Sequence, residues 1–273
     1  MKNNEPICII GGYDMLSNSY FNEIKKNRNN SIFINVSDLK ISRRDFFNYK
    51  IFELKKIINT LETKKIKNII FLGKVNRPNL SKFKADGVIE KYFPLLIDAY
   101  KKGDGNVLSL VIKIFSENGF FAISPLKISK KFFFLKNDFD KIIKSEDKID
   151  INKSIKILND LSKYDNAQSI VCSNGFIIAI EAAEGTDELL KRVKDIRKKL
   201  GTIDKKEGLL TKVPKKSQSK LIDLPVIGPK TMILIKKANL NGIAINPKLT
   251  MVYEKDKLLK FAKDNKIKIF DIS

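Results

Sequence analysis

Short apolar runs alternate with longer amphipathic ones along most of the chain. Pro6-Ile-Cys-Ile-Ile leads into Gly11-Gly12 and predicts a buried strand ending in a glycine pair. The stretch from Met15 to about Lys26 predicts a helix, and Ser31-Ile-Phe-Ile-Asn-Val a second strand. A helix over about 52–63 and a third strand, Lys67-Asn-Ile-Ile-Phe-Leu-Gly73, come next. Helical stretches at about 91–101 and 106–118 flank Lys102-Gly-Asp104-Gly, and Gly119-Phe-Phe-Ala-Ile-Ser-Pro predicts a fourth strand. Strands alternating with helices predict a parallel sheet covered on both faces. Ligands of such sheets gather at the carboxyl ends of the strands.

The pattern then changes. Lys130-Lys-Phe-Phe-Phe-Leu is followed by a charged stretch with no apolar period. Phe132–Phe134 could meet an acyl chain or a membrane, and buried packing between domains is the preferred reading. A helix over about 151–161 precedes two apolar runs, Ser169-Ile-Val-Cys-Ser and Phe176-Ile-Ile-Ala-Ile, joined by Asn174-Gly175. Asn-Gly at that place predicts a hairpin, because both central positions of a type I′ turn need positive φ. Glu181-Ala-Ala-Glu-Gly-Thr-Asp187 then leads into an amphipathic helix ending near Leu200, with Thr186 as a candidate N-cap. Helices to Ala238 and over about 256–265 alternate with short strands at Gly242-Ile-Ala-Ile, Thr250-Met-Val-Tyr and 267–271. The fold class is therefore α/β in two domains. Residues 1–135 form an N-terminal Rossmann-like parallel sheet with helices, 136–150 a linker, and 151–273 a C-terminal mixed α/β domain carrying the acidic motifs.

Composition narrows the chemistry. Among 273 residues there is no histidine, which excludes Ser-His-Asp and Cys-His catalysis and imidazole-bound zinc. A metal enzyme of this composition would use oxygen ligands, favouring magnesium or manganese. Hydrophobic residues make up 43% of the chain, enough for real cores. No apolar run approaches the length of about 18 residues that a membrane span needs. The N-terminus leads straight into a strand rather than a signal peptide, and the two cysteines, Cys8 and Cys172, sit in strand-like segments. Both point to buried thiols in a reducing cytoplasm. The net charge of +22, from 53 basic and 31 acidic residues, could attract nucleic acid, anionic lipid or a phosphorylated substrate. The lysines are spread over most segments rather than gathered in one patch, which is also what a general compositional drift produces.

Several loops carry candidate chemistry. Gly11-Gly12 lets a backbone approach a phosphate or sugar, or makes a plain tight turn. In Gly73-Lys-Val-Asn-Arg77, Arg77 can grip phosphate oxygens bidentately and Asn76 can read a sugar or base; a solvated loop is the alternative. Asp104 either caps a helix or faces a cleft. Glu181, Glu184 and Asp187 crowd one strand-to-helix turn. They are either acids favoured by the helix dipole or ligands for a divalent cation, with Lys212 and Arg77 neutralising phosphate.

Gln168, Glu181-Ala-Ala-Glu-Gly-Thr-Asp187, Gly208-Leu-Leu-Thr-Lys212 and Asp223-Leu-Pro-Val-Ile-Gly-Pro229 resemble the signature blocks of the histidine-independent, LpxI-type UDP-2,3-diacylglucosamine pyrophosphatases of lipid A synthesis. Leu240-Asn-Gly-Ile-Ala-Ile also fits. Gly11-Gly12, Gly73–Arg77 and Gly103-Asp104 are similar in order and spacing, so the likeness spans nearly the whole chain. It departs at the first glycine motif, where Tyr13-Asp14 follow instead of a third glycine and Leu-Pro.

The resemblance implies hydrolysis to UMP and 2,3-diacylglucosamine 1-phosphate with magnesium or manganese, the lipid-nucleotide being held between two domains. It implies Asp223 as the catalytic residue, as metal ligand or base for the attacking water. Glu181, Glu184 and Asp187 would support the metal or orient polar groups, and Gln168, Thr186, Lys212 and Arg77 would contact substrate, with Gly11, Gly12, Gly73, Asn76 and Asp104 as further binding positions. The partners are then a UDP-linked diacylated sugar and the anionic inner-membrane surface, which a basic protein favours. Nucleic acid is not expected as a partner, and a homodimer is compatible with this reading. A basic nucleic-acid-binding protein without catalysis and a hydrolase of a different nucleotide sugar are the alternatives.

Overall fold

The computed structural model describes residues 4–76, 90–140, 142–164, 166–215, 221 and 224–273; the side chain of Asp104 is also outside that set. The chain forms two compact units with their main boundary at Ser129/Lys130, Leu221 going with the first, and each is taken by itself.

The first domain contains β1 (Ile7–Gly11), α1 (Met15–Asn27), β2 (Ile32–Asn35), β3 (Phe46–Asn48), α2 (Leu54–Thr63), β4 (Asn68–Phe71), α3 (Phe93–Lys102), α4 (Asp104–Glu117) and β5 (Phe121–Ala122). Its sheet runs β3-β2-β1-β4-β5, and every pairing is parallel. All five residues of β1 are buried. A central strand covered on both faces has no polar side, which is why it reads as a continuous apolar run. Each fully buried Ile or Phe contributes about 1.5–3 kcal/mol by leaving water. Strand order reverses between β1 and β4, so the loops leaving these two strands mark the switch point at which ligands of such sheets gather. β3 is an unpredicted edge strand. It has only three residues and follows Arg43-Arg44-Asp45, too short a run to show a period.

The second domain contains α5 (Ser145–Leu161), β6 (Ser169–Ser173), β7 (Phe176–Ile180), α6 (Thr186–Lys199), β8 (Leu209–Lys212), β9 (Val226–Ile227), α7 (Pro229–Lys237), β10 (Gly242–Ile245), β11 (Met251–Val252), α8 (Lys255–Asp264) and β12 (Lys268–Asp271). The main sheet runs β12-β10-β8-β6-β7. β8, β10 and β12 are parallel, while β6 lies antiparallel to both neighbours, so the sheet is mixed. Asn174 (φ 50) and Gly175 (φ 79) make the predicted turn between β6 and β7. Asp150 on α5, 2% exposed, ties that turn down. Its carboxylate accepts from Asn174 N at 3.0 Å, Gly175 N at 2.6 Å and Cys172 Sγ at 3.2 Å.

Two differences from the sequence reading have physical causes. α5 starts at Ser145, inside the expected linker, because Glu146 and Asp147 stand in its first turn where the helix dipole favours them. Asp147 and Asp150 are nevertheless buried, and that hides the helix's inward face from an apolar count. Phe132–Phe134 is buried as expected. Phe133 bridges to Met251 and Phe134 joins the second domain's own core beside Phe139, so these two pack within that domain. Both cysteines are free and buried. Among the described residues no helix is long and apolar enough to cross a membrane.

Candidate functional site

At the strand-order reversal of the first domain, the loops after β1 and β4 press backbone against backbone. A Cβ on Gly11 would stand 2.0 Å from Leu72 O, one on Gly12 1.8 Å from Lys74 O, and one on Gly73 1.9 Å from Gly12 O. Gly73 also has φ 100. These glycines therefore serve the contact between two loops. Asp14 fixes the same contact. Its Oδ1 accepts from Ser17 N at 2.8 Å, capping α1, and its Oδ2 accepts from Lys74 N at 3.0 Å. Ser17 Oγ donates to Gly12 O at 2.9 Å. Asp14 to Ser17, an Asp-x-x-Ser before an apolar-periodic stretch, is the helix-start signal that marks this cap in the sequence. Asn76 is exposed at the far end of the second loop, and Arg77 lies outside the described residues. Asp104 is the first residue of α4; Gly103, at φ 116, holds the cap position.

The second domain gathers four predicted or neighbouring residues into one part-buried polar cluster at the carboxyl ends of β7 and β8. Lys212 is the last residue of β8, and the antiparallel register sets it opposite Ser169 at the start of β6. Lys212 Nζ donates to Thr186 Oγ1 at 2.6 Å and to Ser169 Oγ at 3.4 Å. Thr186 Oγ1 in turn donates to Glu181 Oε2 at 3.0 Å. Glu181 and Lys212 form an ion pair at 3.9 Å, with side chains only 12% and 6% exposed. Out of water such a pair holds only if further hydrogen bonds satisfy both charges, and Thr186 supplies one to each. The carbonyl of half-buried Gln168 accepts from Val213 N at 3.0 Å, which ties it to the chain just past Lys212.

This corrects the role of Thr186. The N-cap of α6 is Gly185, at φ 81, and makes no side-chain cap; Thr186 is the first helical residue and turns its hydroxyl to Glu181 and Lys212. Ser169 was not singled out from the sequence. No local signal marks it, because only strand register brings it to Lys212.

The other two acids of the turn go elsewhere. Glu184 Oε1 pairs with Arg192 Nη2 at 2.6 Å and its Oε2 accepts from Ala182 N at 3.0 Å. Its own backbone N–H, then the Arg192 guanidinium and the Ala182 N–H, hold this carboxyl below the usual carboxylate range. Arg192 Nη2 also donates to Ile180 O at 2.8 Å, closing the turn onto β7. Asp187 pairs with Lys230 of α7 at 2.7 Å, and that contact raises the lysine's pKa.

Glu181, Glu184 and Asp187 thus face three different cations. Among the described residues no three His, Cys, Asp or Glu side chains group as a metal site. These three acids do not fit the expected metal cage. Asp223 lies outside the described residues.

Residues 6–132 match the LpxI N-terminal domain, and residues 139–270 match the LpxI C-terminal domain. The protein described as UDP-2,3-diacylglucosamine pyrophosphatase LpxI of Caulobacter vibrioides is 30% identical over 214 residues, which cover 78% of this chain and 76% of that relative.

Proposed function

The chain belongs to the LpxI family in both of its domains, and from that premise we propose that it hydrolyses the pyrophosphate of UDP-2,3-diacylglucosamine. The products are UMP and 2,3-diacylglucosamine 1-phosphate, a step of lipid A synthesis. The observation that carries this reading is that the two domain matches follow one another in order along nearly the whole chain. The part-buried Lys212–Thr186–Glu181 cluster supports it chemically. Hydrolysis of a phosphoanhydride leaves the protein little covalent work; what it needs is neutralisation of phosphate charge and an aligned water.

We assign substrate contacts to Gln168, Thr186, Lys212 and Arg77, and the activation of the attacking water to Asp223. Water adds to one phosphorus, the bridging P–O bond breaks, and the bridging oxygen leaves with the other phosphate. A divalent cation, magnesium or manganese, belongs to the same proposal. It rests on the anhydride's charge and on the lack of histidine among 273 residues, which leaves oxygen donors. The described acids do not gather around one point. A diacylated product stays with the bilayer, and a net charge of +22 favours an anionic leaflet, so we place the enzyme in the cytoplasm at the inner-membrane surface.

The test is UMP release from UDP-2,3-diacylglucosamine by the full chain, with and without magnesium. We expect turnover by the wild type and its loss in Asp223→Ala with an unchanged circular dichroism spectrum. No hydrolysis by the wild type would overturn the function. An Asp223→Ala variant as fast as wild type would remove that residue from the mechanism.

A further inference from the structure

The geometry points to Glu181 as a positioning residue that acts through Thr186 and Lys212, setting the hydroxyl and the ammonium for the diphosphate, rather than as a metal ligand. This rests on the pyrophosphatase reading above. Three observations carry it. Glu181 Oε2 is engaged by the Thr186 hydroxyl at 3.0 Å and faces Lys212 Nζ at 3.9 Å, so one carboxylate oxygen serves both groups. The direction of the relay follows from donor capacity. An ammonium can only donate, so Thr186 Oγ1 accepts from Lys212 at 2.6 Å and its single proton goes to Glu181. The hydroxyl is thereby locked in one rotor. Finally, Lys212 is 5% exposed. A buried ammonium without a counter-charge is costly, and Glu181 is the carboxylate seen paired with it.

The neighbouring acids sharpen the contrast. Glu184 and Asp187 pair with Arg192 and Lys230. Of the three, only Glu181 turns toward Thr186 and the buried Lys212. Sequence places all three on one turn with one apparent role, whereas the fold gives each its own cation.

The test is a double-mutant cycle on the full chain: wild type, Glu181→Gln, Lys212→Met and the double variant, each with kcat, KM and a urea midpoint. Glu181→Gln keeps the shape and removes the charge. We expect kcat to fall about tenfold with KM within about twofold, because a misplaced donor loses stabilisation of developing charge more than ground-state binding. Lys212→Met loses about 10²-fold, in the range of one removed electrostatic donor. The double variant should be no slower than Lys212→Met, since groups acting as one unit are non-additive. Thr186→Val should follow Glu181→Gln, and Thr186→Ser, which keeps the hydroxyl, should restore at least half of the activity.

Multiplicative losses in the double variant would overturn the proposal. So would a Glu181→Gln variant as active as wild type, or one that needs more than about twofold higher magnesium for half-maximal rate. An inactive wild type would instead refute the pyrophosphatase reading. The urea midpoints would then still decide whether Glu181 and Lys212 are coupled: additive shifts across the four proteins sink the pairing, and non-additive shifts sustain it.

Discussion

Gly73→Ala probes the crossing of the two first-domain loops, and its cost can be worked from the structure. The new Cβ would lie 1.9 Å from Gly12 O, and real Cβ contacts essentially never fall below 3.0 Å, so the loops must part by at least about 1.1 Å. There is no slack on the other side, since Gly12 already sits with its own Cβ position 1.8 Å from Lys74 O. Backbone strain at φ 100 adds about 1–3 kcal/mol, and forcing atoms into a packed region adds about 1–3 kcal/mol more. The sum, about 2–6 kcal/mol, is a large part of a domain's stability of about 5–15 kcal/mol. Gly119→Ala is the control in the same domain. Gly119 has φ 81 but nothing within 4 Å of its Cβ position, so it carries strain without the clash. Urea unfolding of the first domain, followed by far-ultraviolet circular dichroism, should show Gly73→Ala less stable than Gly119→Ala by about 1–3 kcal/mol. Equal midpoints would refute the claim that loop contact, rather than φ alone, demands glycine at this position.

Other outcomes follow from the second domain and the thiols. Asp150→Ala leaves the hairpin N–H groups of Asn174 and Gly175 without their acceptor and should cost about 2–4 kcal/mol in urea melts; kcat/KM at a permissive temperature should stay within about twofold of wild type. Removing divalent cations with a chelator should abolish UMP release, and added magnesium should restore it; full activity in chelator would refute the metal proposal. Burial, followed by the bond to Asp150, pushes the Cys172 thiol up to about 12 from 9.0. Burial likewise pushes Cys8 up. Above about pH 9 the unfolded chain loses thiol protons that the native state keeps, so stability should decline from there toward about pH 12. A flat urea midpoint between pH 9 and pH 11 would contradict this, as would rapid native-state thiol modification at pH 8.

Much of the scaffold is written in the order of residues. The Asn174-Gly175 hairpin, the alternation of strand and helix, and the helix opening at Thr186 depend on contacts a few residues apart, and local pattern reports those directly. Where buried carboxylates break the apolar count, as at Asp147 and Asp150, the pattern places the start of α5 six residues late. The acidic turn divides along the same line. Its position between strand and helix is local. The fate of its charges is not: Glu181 meets a lysine 31 residues on, because antiparallel pairing sets Ser169 opposite Lys212, and Asp187 meets Lys230 because α7 comes back beside α6. Periodicity states which face of an element is buried. Which cation lies within about 4 Å of a carboxylate depends on register and packing between distant elements, and Coulomb attraction and hydrogen bonding separate partners only over such distances. The sequence alone thus determined most of the elements and supplied the charges, while tertiary structure decided which charge each one meets.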